Sequence, residues 1–498
     1  MSALDHPFPE TTSVGRPAWS GKVARWCAPV VPVLLGGILA WAPVPLGSNR
    51  PWSWSLLVVL VGLTLGLWCL RQALLAPAAL RVPWTVTVAA GATVLVWAWA
   101  LLQMVPVESV PSELMPWLAP HPFWAAAAAE GLEGGRPMVG LDAAGGHMAL
   151  LRLMAYAAVF WLAFAVAQEE AWARRLLAVV VGTATACAAY GLASYFLGWE
   201  TIFGYVKTGY RGDVTGTFVN RNNFATFANL GLMVALAMLA EPFLAARGHK
   251  EPKRALAAAI EQLLGRRVVL LVAVAVLATA ALQSHSRGGL LSGAAALFAL
   301  LLLLFLATRP RPIMAVAVAA LVAALGWGAL QVSGAATLER LNAIDNDADI
   351  EGFGRFAIWQ TSLGLAGERP WLGHGYGNFE AAFATARDER FTLQVDKAHS
   401  TYLEHLVELG LPATLLLYLG PVLLFGTCVR GVLARRRRQL FPLAAVGASL
   451  VVGLHALVDF SLQIPAVAVT FAAILGIGVA QAMPSAQHRR PPMAPSRA

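Results

Sequence analysis

Charge is scarce in this chain. Only 13% of its 498 residues are Asp, Glu, Lys or Arg, and 58% are hydrophobic. That charge is about half the share usual in soluble domains, which excludes a soluble fold of this length. Cysteine is scarce too. Cys27, Cys69, Cys187 and Cys428 lie scattered in or beside apolar runs, with no two at metal-ligand spacing. A disulfide framework and a zinc site are therefore not expected. The first twenty residues or so lack the charged start and small-residue cleavage site of a secretory signal, so the first span is expected to be retained. No repeat of roughly 34 or 40 residues is visible. The two halves also lack the similarity that many transporters carry.

Apolar runs fill the chain instead. Runs of ~18 to 24 residues read as membrane helices. They predict an all-α polytopic membrane protein of about twelve spans, at 28–43, 54–71, 84–104, 148–167, 176–197, 223–241, 268–284, 289–307, 313–331, 401–427, 441–458 and 465–483. One set of short loops holds RGHKEPKR, GRR, RPRP and the run Arg435, Arg436, Arg437, Arg438. With both termini, that side carries roughly 23 of the 36 basic residues. The bias predicts that both termini are cytoplasmic and that the arginine run is a topology anchor. Basic charge gathered in loops this way explains the formal +9 without a nucleic-acid partner.

The expected organisation runs from a cytoplasmic tail (1–27) to spans one to five (28–198), with an outer loop at 105–147. Spans six to nine follow (199–331), including a second outer segment at 199–222. A third outer loop, the longest (332–400), precedes the last spans (401–483) and a cytoplasmic tail (484–498). Long loops in compact proteins are often functional, which puts the chemistry on the outer face.

Charged and polar residues gather at that face. Arg211 and Arg221 flank GDVTGTFVN before the sixth span, and Arg287 sits in the short link SHSRGG. An arginine fork matches phosphate oxygens two at a time, so several around one cavity suit a diphosphate. Headgroup contact, or pairing with a carboxylate such as Asp213, is the alternative. His399 precedes a strong helix start in KAHSTYLEHLVELG. Ser400 or Thr401 can cap that helix, and Thr401 to Glu404 fits a capping box. The positive helix end disfavours the imidazolium, leaving a neutral ring able to accept a proton. Glu404 and Glu408 share a helix face, where they could orient an acceptor or pair with loop arginines. His285 reads as polar near the mouth, His374 as part of a Gly-rich loop, and His455 as a core histidine bonded to a neighbouring helix. Asp345, Asp347 and Asp349 alternate as in a calcium loop, but Ile350 and Phe356 stand where Gly and Glu are needed, so the stretch reads as a solvated turn. RPWLGHGYGNFE suits a tight turn folded against the membrane. Asp459, in HALVDFSLQIPA, could fix an arginine or mark the interface.

Together, TGTFVNRNNFA, SHSRGG, GRFAIWQTSLGLAGERPWLGHGYGNFE and AHSTYLEHLVELGLP resemble the O-antigen ligase and polymerase superfamily (Wzy_C-type membrane proteins), over roughly residues 200 to 465. HALVDFSLQIPA looks like a motif of many members. The resemblance implies a helical glycosyltransferase of the GT-C type in the bacterial inner membrane, with its active site facing the periplasm. It implies a glycan donor on undecaprenyl diphosphate, no cofactor and no metal. The acceptor would be lipid A–core in a ligase, or another repeat unit in an O-antigen or exopolysaccharide polymerase. By motif position, His399 is the implied base, and Arg287 and Arg221 or Arg211 the diphosphate ligands. Lys207 and Arg355 would hold outer parts of the donor, with Glu404 and Asp459 also binding substrate. Many members have His-Asn where this chain has His399-Ser400. The large loop would roof the cavity and shape the acceptor side. A polysaccharide or lipid transporter and a non-catalytic envelope-assembly protein are the readings from other classes.

Overall fold

The computed structural model describes residues 29–483 except 76–79, 114, 133, 246–260, 262–264, 266, 309–349, 392–393 and 436–437. The expected span 313–331, the residues Asp345, Asp347 and Asp349, and both terminal tails lie outside the described residues.

Apolar runs become helices with few exceptions. The bundle is α1 (Val30–Trp41), α2 (Pro51–Leu75), α3 (Trp84–Gln103), α5 (Ala143–Val166), α6 (Glu170–Phe196), α7 (Arg221–Ala245), α8 (Val268–Gln283), α9 (Arg287–Thr308), α12 (Thr401–Ala434), α13 (Leu440–His455) and α14 (Pro465–Ala482). Three further helices lie between them: α4 (Pro122–Ala129), α10 (Ile350–Glu368) and α11 (Phe379–Thr385). A two-residue hairpin, β1 (Thr201–Ile202) with β2 (Tyr205–Val206), follows α6.

The expected twelve spans are not all found among the described residues. Among the described residues, eight helices are long and apolar enough to cross a membrane. The reason is length. α1 has 12 residues, and α8 and α13 have 16 each. At 1.5 Å per residue they reach about 18 to 24 Å, short of a hydrocarbon core of about 30 Å. The protein is nonetheless a polytopic membrane bundle.

α14 forms the bundle's centre, buried along nearly its whole length and packed on α5 and α13. Close approach there needs glycine. A methyl at Gly476 would sit 2.5 Å from the Phe160 carbonyl oxygen of α5, and one at Gly478 would collide with Ala445 of α13. Small residues let membrane helices approach in this way, since lipid gives no hydrophobic drive between them.

α12 is broken at Gly410 (φ 75°, ψ 167°). Pro412 has no N–H, so it leaves the Glu408 carbonyl without its helical donor. The glycine-rich turn 373–377 fills the gap. Gly375 N–H and Gln103 Nε2 both donate to the Glu408 carbonyl at 2.9 Å, and His374 N–H donates to Val407 at 2.9 Å. Leu411 N–H turns outward to the Pro370 carbonyl at 2.7 Å. Gly373 has φ 69°, and a methyl on it would strike the Glu408 carbonyl. The turn RPWLGHGYGNFE is thus a plug for a broken membrane helix.

The segments expected to be outer loops carry more regular structure than loops. The stretch 105–147 carries α4 and a bridge between Pro106 and Met138, and the described part of 332–400 carries α10 and α11. Ile358 and Leu365 of α10, Phe379 and Phe383 of α11, and Phe391, Ala398 and Val407 form a small separate core. Trp359 Nε1 donates to the Ala398 carbonyl at 3.0 Å. This cap holds the chain one residue before His399.

Candidate functional site

His399 lies in the left-handed region at φ 50°, unusual for a residue with a side chain. Its neighbours hold it there from both sides. On the N-terminal side, Glu404 is 1% exposed and uses both oxygens: Oε1 accepts from Lys397 Nζ and Oε2 from Ala398 N–H, each at 3.0 Å. On the C-terminal side, Thr401 N–H donates to the carbonyls of Ala456 (2.9 Å) and Asp459 (3.3 Å), and its hydroxyl donates to the Asp459 carbonyl at 3.0 Å. Strained backbone persists where its surroundings over-determine it in this way. Ser400 caps α12, accepting from Leu403 N–H at 3.5 Å. The expected capping box from Thr401 to Glu404 does not form. Glu404 sits one position too far along, and it reaches back past the cap to the preceding segment.

The imidazole packs edge-on against Phe460, with centroids 5.3 Å apart, and its Nδ1 is buried with no hydrogen-bond partner among the described residues. Burial, with Arg355 adding to it, holds the His399 pKa below the usual imidazole range. The ring is therefore neutral near pH 7, as a proton acceptor must be. Lys397 behaves the other way. Burial opposes its charge, but Glu404 and Glu408 outweigh it and hold the pKa up.

Segment 455–463, the HALVDFSLQ stretch, is the hub. Asp459 is 1% exposed and accepts from Asn222 Nδ2 at 3.4 Å and from Ser461 Oγ. Ser461 also bonds Asn223 Oδ1 at 3.1 Å. Asn222 Oδ1 accepts from Ser286 Oγ at 2.7 Å, which ties α7 to the SHSRGG link. His455 Nδ1 meets Thr226 Oγ1 of α7 at 2.5 Å, the core histidine bonded to a neighbouring helix that the sequence suggests. A methyl at Gly288 would sit 2.7 Å from His455 Nε2, so the link lies directly on α13. Arg355 Nη1 reaches the Val458 carbonyl at 3.4 Å. Asp459 therefore ties an asparagine, a serine and a threonine together rather than fixing an arginine.

The cations take different positions around this hub. Arg221 opens α7, bonds Asp213 at 2.8 Å and lies over the Tyr210 ring, its guanidinium carbon 5.3 Å from the centroid. Asp213 also receives His285 Nδ1 at 2.7 Å, so the carboxylate expected near Arg211 serves Arg221 and His285 instead. Lys207 is buried, donates to the Asp213 carbonyl at 3.1 Å, and has its pKa lowered by burial. Arg211 is exposed and bonds the Lys207 carbonyl at 3.2 Å. Arg287 opens α9 with an exposed side chain, and nothing among the described residues bonds its guanidinium. Among the described residues no group of three or more His, Cys, Asp or Glu is disposed to hold a metal ion.

Residues 271–418 match the family model described as O-antigen ligase (Wzy_C). The matched region runs from within α8 to the middle of α12. It includes Arg287, Arg355, His399 and Glu404, while Arg221, Lys207, Arg211 and Asp459 lie outside it. No curated protein matches the chain. The match points to the O-antigen ligase and polymerase superfamily and to a multi-pass membrane enzyme in general terms.

The sequence reading missed Asn222, Lys397 and Phe460. Lys397 had a signal, since it is two residues from His399 in the segment leading to a helix. Asn222 stands beside Arg221, but its partner Asp459 is 237 residues away.

Proposed function

We propose that this protein is a membrane glycosyltransferase of the O-antigen ligase type. It moves a glycan from undecaprenyl diphosphate to a sugar hydroxyl of a lipid-anchored acceptor at the periplasmic face, with inversion and without a metal. The family resemblance puts lipid A–core first among acceptors, and a growing repeat unit is the polymerase alternative. The supporting observation is the hub at 455–463. It bonds the start of α7, Arg355 and the start of α12, and Asn222 of α7 bonds the SHSRGG link in turn, which brings the arginine segments and the His399 segment to one end of the bundle.

In the proposed reaction the acceptor oxygen attacks the anomeric carbon and loses its proton to His399. The bond from that carbon to the diphosphate oxygen breaks, and the leaving diphosphate keeps the electron pair. Arg287 and Arg221 stabilise the charge that develops on it, the role of preorganised donors at a departing oxyanion. Each is the first residue of its helix, so the positive helix end adds to the field on an anion. Arg211, Lys207 and Arg355 hold outer parts of the donor.

Reconstitution tests the reading. Purified protein in liposomes is supplied with a lipid-diphosphate glycan and a panel of lipid-linked sugars. Release of the lipid diphosphate that depends on an acceptor, with a matching glycosylated product, is the expected result. No release with any donor and acceptor pair would overturn it.

A further inference from the structure

Two histidines have left-handed backbone, His399 at φ 50° and His285 at φ 51°. Each stands two residues before a helix, α12 or α9, and each is followed by a serine that caps it. Ser400 accepts from Leu403 N–H at 3.5 Å, and Ser286 from Gly289 N–H at 3.1 Å, in both cases the third residue of the helix. The reaction above uses His399 and gives His285 nothing to do. Yet His285 is clamped as firmly. Ser286 is buried and its hydroxyl donates to Asn222 Oδ1 at 2.7 Å. Ser284 is buried too, donating to the Ala281 carbonyl at 2.6 Å and accepting from Ser286 N–H at 3.3 Å. The serines turn inward and the imidazole between them turns out, its side chain 41% exposed. Strained backbone kept in this way gathers at functional sites.

A carboxylate orients the ring. Nδ1 lies 2.7 Å from Asp213 Oδ1, and among the described residues nothing bonds Nε2. Asp213 is itself buried and held in place. Val214 N–H donates to the Gln283 carbonyl at 3.1 Å, and Lys207 Nζ to the Asp213 carbonyl at 3.1 Å. A ring fixed through one nitrogen presents the other in a set direction.

The charges nearby say what that nitrogen meets. Asp213 offsets Arg221 at 2.8 Å, and Glu200 lies 3.9 Å from Lys207 Nζ. Arg287, two residues beyond His285, has no such partner among the described residues. A neutral ring that donates from Nδ1 to Asp213 would show a lone pair at Nε2, which repels a phosphate oxygen. An imidazolium donates from both nitrogens, one to Asp213 and one outward. It gives the site a second uncompensated cation beside Arg287, and charge-assisted bonds to phosphate are the strong ones.

We propose that His285 is a ligand of the lipid diphosphate, donating from Nε2 of its protonated ring, with Asp213 as its holder. This rests on the glycosyl-transfer reading above and deepens its donor site. The two histidines then differ by protonation state. Neutral His399 takes the acceptor's proton, while charged His285 grips the donor and keeps its own proton throughout.

The test is a binding measurement that needs no turnover. Full-length protein in nanodiscs is mixed with tritiated geranylgeranyl diphosphate, and saturable binding is read by scintillation proximity. Asparagine tolerates left-handed backbone and can still donate to Asp213, but it has no second nitrogen to reach outward. His285→Asn should therefore bind at least ~10-fold more weakly, with its unfolding temperature unchanged. His285→Lys keeps its charge where histidine loses it. Raising the pH from about 6 to about 9 should weaken binding to the wild type at least ~10-fold more than binding to His285→Lys. Glu200, Lys207, Arg211, Asp213, Arg221 and Arg287 are the charged groups around the ring, and both proteins retain them. Wild-type affinity in His285→Asn, or the same pH response in wild type and His285→Lys, would overturn the proposal. Arg287→Ala separates this failure from that of the donor reading. If it loses affinity while His285→Asn does not, the reading stands and His285 alone falls. If the wild type binds no diphosphate, both fall.

Discussion

The two ends of the bundle treat arginine differently. At the end where α12 finishes, arginines are neutralised by carboxylates. Arg174 grips Glu241 through two bonds of 2.8 Å and also meets Glu170 at 2.9 Å. Arg267 joins Glu241 at 2.8 Å, and Arg438 joins Glu170 at 2.7 Å. At the end where α12 begins, Arg221 pairs with Asp213 at 2.8 Å, but Arg287 and Arg211 are exposed with no carboxylate partner among the described residues, and Arg355 reaches only a carbonyl at 3.4 Å. The first arrangement serves architecture and topology. The second leaves cationic charge available to an incoming anion, beside a neutral histidine. The difference argues that chemistry belongs to the His399 end alone.

Variants can break this comparison. The largest effect is expected at Arg287. Arg287→Ala should lower the transfer rate by ~10² to 10³-fold, the loss typical when one charge-stabilising donor is removed. Initial rates at saturating donor check this, and an unchanged rate would return Arg287 to headgroup contact. The next effect is on pH. His399 must be unprotonated to act, and its lowered pKa places the acidic limb of the rate profile below the ordinary histidine value of about 6.5. Arg355 disfavours the imidazolium, so Arg355→Gln should raise the pKa and move that limb to higher pH. Burial is the larger cause, so the limb should stay below the ordinary value; a shift to lower pH would contradict the assignment.

Smaller effects sharpen the contrast. Ser400→Ala should cost about 0.5 to 1 kcal/mol, the low end for a lost helix cap, because its bond is long at 3.5 Å. Thermal unfolding in a fixed detergent reads it. At the opposite end, Glu170→Gln should change stability by no more than about 1 kcal/mol, as for other partly exposed ion pairs, and leave transfer untouched. A transfer defect in that variant would blur the division between the two ends.

How much of this was legible depends on the range of each interaction. Helices were readable because apolar runs announce them, and α3, α8 and α14 start and stop within a residue or two of the expected limits. The break in α12 was not read, although Gly410 and Pro412 were its signals. A span that stays apolar across a glycine and a proline looks continuous until the turn at 373–377 is seen to replace its lost bonds. α10 was hidden for the opposite reason. It lies in a segment too polar for a span, and its apolar face packs on α11 and the segment before His399 rather than on lipid. At the site, His399 and the outer arginines were suggested by position and motif. The clamp by Glu404 was mistaken for a capping box because the spacing from Thr401 fits one. Only the geometry shows Ser400 as the cap and Glu404 gripping Lys397 and Ala398. The role of Asp459 was open for a similar reason, since nothing local announces a partner in α7.

The central claim is that His399 is the base of a glycosyl transfer. The direct measurement is the initial rate of transfer by His399→Ala and wild-type protein in liposomes, at equal membrane insertion. The account predicts a loss of at least ~10²-fold, the contribution usual for a positioned general base. Transfer at the wild-type rate, by a variant that inserts and folds normally, would contradict it.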